Sequence, residues 1–316
     1  MKHPGTLAWS RCWLQGAVAA GVLCVVAGAN AQDGSVSVPG VALPTQPAPS
    51  LVVTPADIAA GKHPALMAGE FLTYDIGWGF ITAGHGTLEV SPKAEHNGIT
   101  AWQVVMTAKT TSFMDKIYKI RDRYTAWFTA DLSRSLEYDQ KQHEGDTIRD
   151  MQVIFDAEKL EACRVLNKNA EKPVKIQPGT FDPLASLFFF RSQTFKVGDI
   201  INIPVSDGKF SVMGTAKVIA EEKVETDAGE FDTYKVEPDT KDLAGVFKKS
   251  KGAKLFIWVT KDARHLPVKI SSKVFIGSFT AELTSIKREG DLPAIIPFRG
   301  LTNPRVTSAV PRTGRG

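Results

Sequence analysis

Polar and apolar residues take turns along most of this chain. Phe71, Thr73 and Asp75 alternate with Leu72, Tyr74 and Ile76, and the run stops at Gly77-Trp78-Gly79. Thr87-Leu88-Glu89-Val90 alternates and stops at Ser91-Pro92, and Ala101 to Thr107 is rich in Trp and Val. A period of two puts successive side chains on opposite faces, which is the mark of a strand. From Tyr118 to Thr129 it places Tyr118, Ile120, Asp122, Tyr124, Ala126 and Phe128 on one face, and Arg121, Arg123 and Trp127 on the other. Segments 134–142 and 147–156 predict a hairpin around Glu144-Gly145-Asp146. Further strands are predicted at 161–166, 174–177, 200–205, 209–221, 230–237, 254–260, 266–274 and 277–286. Asp207-Gly208, between Ile201–Val205 and Phe210–Val218, is the sharpest turn signal. Many short strands divided by Gly, Pro, Asn and Asp predict a mainly β domain: one antiparallel curved half-barrel, or a sandwich of two sheets.

One segment breaks the period. Asp182 is a good N-cap and Pro183 a good first helical residue, because proline's missing N–H has no partner at that position anyway. Leu184-Ala185-Ser186-Leu187-Phe188-Phe189-Phe190-Arg191 follows. A helix this apolar has to be covered on most sides. It packs against the sheet, either simply as core, the plainer expectation, or as the lining of an apolar cavity.

The ends have a different texture. Lys2, His3 and Arg11 precede an almost wholly apolar run from Trp13 to Gly28, and Ala29-Asn30-Ala31 gives an A-x-A cleavage pattern. These are the parts of a secretory signal, predicted over 1–31 with Ala29 and Ala31 at the cut. The apolar run is shorter than the about 20 residues that span a bilayer, and no later segment predicts a transmembrane span. Residues 32–65 form a linker carrying Pro39, Pro44, Pro47, Pro49 and Pro55. Residues 287–316 form a basic, proline-rich tail predicted to be disordered. Between them, 66–286 is one domain.

Charge and cysteine exclude more than they assign. With Lys2 and Arg11 removed, the remaining chain has 36 basic and 34 acidic residues, which argues against a nucleic-acid-binding domain. After removal of the signal Cys163 stands alone, so no intramolecular disulfide is expected. No Cys/His cluster points to zinc, and no G-x-S-x-G, H-E-x-x-H or phosphate-loop pattern occurs. No metal, cofactor or catalytic residue is predicted. The Gly77/Gly79 and Gly84/Gly86 pairs predict bulges or tight turns. His63, His85, His96, His143 and His265 are expected to be surface turn residues. The lysine-rich loop 241–254, with Leu243, Val246 and Phe247, is expected to be a solvated hairpin or, alternatively, a surface for lipid or acidic ligands.

Taken in order, several landmarks resemble a bacterial envelope family, domain of unknown function 3108. They are Gly69-Glu70 before a Tyr-containing strand with Gly84 soon after; the Asp182, Leu184, Leu187, Phe188, Arg191 helix; Val197-Gly198-Asp199; Thr226, Ala228, Gly229 and Phe231; and Ile257-Trp258-Val259-Thr260 with Asp262, Arg264, Pro267 and Val268. The resemblance covers about residues 66–286. It implies an exported β-rich protein with no assigned reaction. With the signal, the expected location is the periplasm or the periplasmic face of the outer membrane.

The candidate ligand contacts are Arg121, Asp122 and Trp127 on the charged aromatic strand, Leu187, Phe188 and Arg191 on the helix, and Trp258. The leading expectation is a non-catalytic binder of a lipid or other apolar ligand. A glycan-binding or envelope-assembly module is the alternative, provided that two of Trp78, Trp102, Trp127 and Trp258 share an exposed face. A hydrolase comes third, and it requires a second buried carboxylate beside Asp122.

Overall fold

The structure is a computed structural model that describes residues 65–239, 254–274 and 277–288. The predicted signal, all of the linker but Ala65, loop residues 241–253 and the tail beyond Arg288 lie outside the described residues.

The first half is a meander. Its strands are β1 (Phe71–Trp78), β2 (Ile81–Val90), β3 (Ala94–His96), β4 (Ile99–Thr110), β5 (Arg121–Thr129), β6 (Ser135–Glu144), β7 (Thr147–Asp156), β8 (Glu161–Leu166), β9 (Asn169–Ala170) and β10 (Val174–Lys175). The one α-helix among the described residues, α1 (Pro183–Arg191), crosses to the second half. There follow β11 (Ile200–Ser206), β12 (Ser211–Thr226), β13 (Gly229–Pro238), β14 (Lys254–Thr260), β15 (Pro267–Val274) and β16 (Gly277–Lys287). All the described strands join one antiparallel sheet, in the order β10-β8-β7-β6-β5-β4-β2-β1-β16-β15-β14-β13-β12-β11, with β3 on β4 and β9 on β8. The fold is therefore mainly β and a single open, curled sheet; the two-sheet sandwich is not formed. Almost every neighbouring pair is close in sequence. The exception is β1 with β16, where Phe71 lies opposite Lys287.

Alternation decides which side is core. Leu72, Tyr74 and Ile76 of β1, Trp102, Val104 and Met106 of β4, and Tyr124, Ala126 and Phe128 of β5 all point inwards and are buried. The helix lies against this face. Asp182 caps it by accepting from the backbone N–H of Leu184 and Ala185 at 2.8 and 2.9 Å, and Ser135 Oγ donates to the other carboxylate oxygen at 2.5 Å. Burial pushes the Asp182 carboxyl up to about 7 against these donors. Phe188 stacks on Phe128 and Phe190 on Phe195, and Phe189 packs at a tilt against Phe181. The buried rings of Phe188 and Phe190 each contribute about 1.5–3 kcal/mol by leaving water.

The seam between the edge strands is closed by the chain's own middle. The Phe181 N–H donates to Pro204 O, the Ser206 N–H donates to Phe181 O, and the Ser135 N–H donates to Thr180 O. The glycine pairs sit at a turn and a bulge: Gly79 has a φ of +59°, and an extra residue in β2 at Ala83 shifts the register beside Gly77. A Cβ on Gly84 would lie 2.5 Å from the Lys109 carbonyl oxygen, so the strands approach closely there only because that residue is glycine.

Candidate functional site

One end of the sheet is unusual. The connections β1–β2, β4–β5 and β6–β7 all emerge there, because alternate turns of an antiparallel meander lie at the same end. They carry Phe80, Ile81, Phe113, Ile117 and, on the first residues of β7, Ile148. All five are exposed, Phe80 completely so, and they make up five of the nine exposed large hydrophobic residues among the described ones. Surface apolar residues scattered singly are ordinary, whereas a gathering at one end calls for a partner.

A groove of about 620 Å³ starts at this end. Phe80, Ile81 and Thr82 stand at its mouth. Its floor follows β1 and β16 through Gly77, Asp75, Thr280, Glu282 and Thr284, and the β12–β13 turn with Glu225 and Asp227 forms a wall. Asp75 is paired with His85 at 2.7 Å, and Glu282 with Lys269 at 2.6 Å. The groove is thus apolar at the mouth and hydroxylated and acidic further in. Its size lies within the range that holds small ligands, roughly 300–1,000 Å³.

Two buried charge clusters flank the core. In the first, Asp122 of β5 meets Glu144 at the end of β6, and the two carboxyl groups hydrogen-bond each other. Asp122 also accepts from the His143 N–H at 3.1 Å and the Tyr124 hydroxyl at 3.2 Å, and the Gln142 amide donates to the Tyr124 hydroxyl at 2.8 Å. Neither carboxylate is within ion-pair distance of a cation among the described residues. Burial first, and then the neighbouring carboxylate, pushes Glu144 up to about 8; burial likewise raises Asp122. Tyr118 covers the pair. A Cβ on Gly145 would meet its ring at 2.8 Å, and its buried hydroxyl has no hydrogen-bond partner. This is the second carboxylate that a hydrolase would need, but both acids are almost fully enclosed, with Asp122 4% and Glu144 6% exposed.

The second cluster fixes α1. Arg191 Nη2 stands 2.9 and 3.2 Å from the two oxygens of Glu70, and Arg191 Nε donates to the Arg264 carbonyl. The guanidinium also lies over the Phe188 ring, 4.9 Å from its centre. His265 Nδ1 lies 2.8 Å from the Arg191 carbonyl oxygen, and Tyr74 donates to the Pro267 carbonyl. His265 is not the surface turn residue expected: it is buried, stacked on Phe195, and burial lowers its pKa. His96 also departs from that expectation, stacking on Trp127 and bonding Glu137 at 3.0 Å.

The candidate contacts therefore scatter. Leu187, Phe188 and Arg191 are core, as the plainer expectation for the helix had it, and α1 does not line the groove at Phe80 and Asp75. Arg121 lies on the outer face, clamped by both its Nη atoms to Asp115. Trp127 is half-buried under His96. Trp258 is buried between Lys235 and Lys269 and donates to Glu222 at 2.7 Å. Trp102 is buried and Trp78 packs on Phe279, so the four tryptophans do not make a shared stacking platform. Arg121 and Trp258 do share one cross-strand row of the outer face: Arg121, Lys109, His85, Asp75, Glu282, Lys269, Trp258, Lys235. Sequence reasoning missed the groove and the apolar tips, which depend on which turns share an end. It also missed Glu70 as the partner of Arg191.

Among the described residues the chain is a mainly β protein, a single open antiparallel sheet curled over one buried helix. The family model described as protein of unknown function DUF3108 matches residues 73–284, and the chain belongs to that family. No curated protein matches the chain. Among solved structures, the chain is similar to a beta-barrel-like protein of domain of unknown function DUF1849 from Brucella abortus, with 10% identity, a TM-score of 0.48, and coverage of 71% of this chain and 99% of that one. It is also similar to a protein from Bacteroides fragilis described as exported, with a YmcC-like fold, at 11% identity and a TM-score of 0.33, covering 71% and 97%. A hypothetical protein from Chlamydia trachomatis matches at 9% identity and a TM-score of 0.30, covering 76% and 95%.

Proposed function

We propose that this is an exported protein of the bacterial envelope, cut after Ala31 and working in the periplasm or on the periplasmic face of the outer membrane, that binds a lipid-like ligand without chemistry. The observation that carries this reading is the groove of about 620 Å³, apolar at Phe80 and Ile81 and polar from Asp75 to Glu282. Such a gradient suits an amphiphile: acyl carbon at the mouth, a hydroxylated or cationic head further in. This differs from a cavity against α1, whose side chains are occupied with one another. The Asp122–Glu144 pair is enclosed, and its burial favours binding over hydrolysis.

Native mass spectrometry of the mature protein, purified from the periplasm without detergent, tests this. An adduct that releases as a lipid, and that is lost in Thr82→Trp, is the expected result. Thr82 is exposed at the groove mouth, so an indole there fills the groove without disturbing the core. A bare chain mass that persists after incubation with envelope lipids overturns the reading.

A further inference from the structure

The apolar tips form a surface of their own. Phe80 and Ile81 belong to the β1–β2 turn, Phe113 and Ile117 to the β4–β5 connection, and Ile148 to the start of β7. They stand on three separate connections with polar chain between them. Such an arrangement resembles a set of pegs more than the flat continuous patch through which two proteins pack. Their neighbours are charged with one sign in excess. Within three residues of these strand ends and across the connections, Lys109, Lys116, Lys119, Arg121, Arg123 and Arg149 are exposed. The acids on the surface there are fewer: Asp75, paired with His85, Asp115, already held by Arg121, Asp146 and Asp150. Asp122 and Glu144 are buried behind them.

We infer that this end of the sheet docks on an anionic bilayer surface, with Phe80, Phe113 and Ile117 entering the headgroup boundary and the basic side chains meeting lipid phosphates. Protruding aromatic and aliphatic side chains ringed by Lys and Arg are the combination that holds proteins at such an interface, and it depends on both burial and charge. Residues 113–117 are well placed for this. Their short 3₁₀ turn, Met114–Lys116, buries Met114 in the core while turning Phe113 and Ile117 outwards. The rest of the turn can therefore change without loss of its anchor. The inference rests on the lipid reading above, and it identifies the surface from which the groove would be filled, because Phe80 and Ile81 belong to both.

Flotation of the mature chain with vesicles tests it. Wild type is expected to float with phosphatidylcholine vesicles containing phosphatidylglycerol, and at least tenfold less with phosphatidylcholine alone. Phe80→Ser combined with Phe113→Ser is expected to lose at least tenfold on the anionic vesicles while keeping its unfolding midpoint, since both side chains are exposed. Lys116→Glu combined with Lys119→Glu should weaken flotation and flatten its salt dependence. Flotation with no lipid adduct in the native mass spectrum would sustain docking and overturn the groove reading. An adduct without flotation would do the reverse. Docking is also overturned if the Phe80/Phe113 variant floats as well as wild type, or if wild type instead self-associates through this end in sedimentation.

Discussion

The two buried charge clusters of this domain solve opposite problems. Glu70 and Arg191 are of opposite sign and within direct contact, and they fasten the end of α1 to the first strand. Asp122 and Glu144 are of like sign, equally buried, and lean on Tyr124, Gln142 and a backbone N–H for support. The first cluster meets its desolvation with charge, the second by keeping a proton. Burial alone therefore does not say whether a charged residue steadies the fold. What matters is the sign of its neighbour.

The largest effect should come from breaking the opposite-charge pair. Arg191→Met leaves Glu70 buried and alone, and it should lower unfolding stability by about 3–5 kcal/mol. Chemical denaturation measures this, and adding Glu70→Gln should restore much of the loss. If the double variant is no better than the single, the pair is not what holds α1.

The like-charge pair should answer to pH instead. The Glu144 pKa is raised in the folded state from 4.5 to about 8, so the folded protein holds a proton that the unfolded chain has released. Nothing is lost below the unfolded value. Stability then falls as pH rises from about 5 to 8, and it stays at the lower level above that. Glu144→Gln should remove this fall and be more stable than wild type at pH 9, with the advantage vanishing near pH 5. Parallel pH profiles for the two proteins would falsify the shared-proton account.

A smaller effect is expected at Asp182, where the carboxylate caps α1. Asp182→Ala should cost about 1–2 kcal/mol by thermal or denaturant unfolding, and Asp182→Asn less, because an amide oxygen still accepts from Leu184 and Ala185. The smallest is at the exposed tips. Phe80→Ser should move stability by no more than about 0.5 kcal/mol, which sets the residues that serve a partner apart from those that serve the fold.

Much of this fold was legible in the sequence because strands and caps are local. Alternation alone put Asp122, Tyr124, Ala126 and Phe128 on one face, which is the buried one, and Asp182-Pro183 marked the start of the helix. The Asp207-Gly208 turn joins β11 to β12 where expected. What escaped was set by register and by distance along the chain. Asp122 meets Glu144 because Tyr124 pairs with Gln140, which leaves Glu144 diagonal to Asp122 across the sheet. Counting back from the predicted hairpin would have found it. Glu70 and Arg191 are 121 positions apart, and no local pattern links them. His265, with a φ of +43°, looked like a turn residue and takes a turn conformation, yet the helix end covers it.

The β1–β16 ladder has a kinetic meaning as well. Read from β11 through β16 and on from β1 to β10, the strands of the sheet follow one another as an uninterrupted meander. Local hairpins close quickly, whereas pairing Phe71 with Lys287 means bringing together positions that span nearly the whole domain. The slow step of folding should be that single zip. A circular permutant that joins the ends near Phe71 and Lys287 and opens between β10 and α1 would have only neighbour-to-neighbour ladders, and it should fold faster to the same sheet.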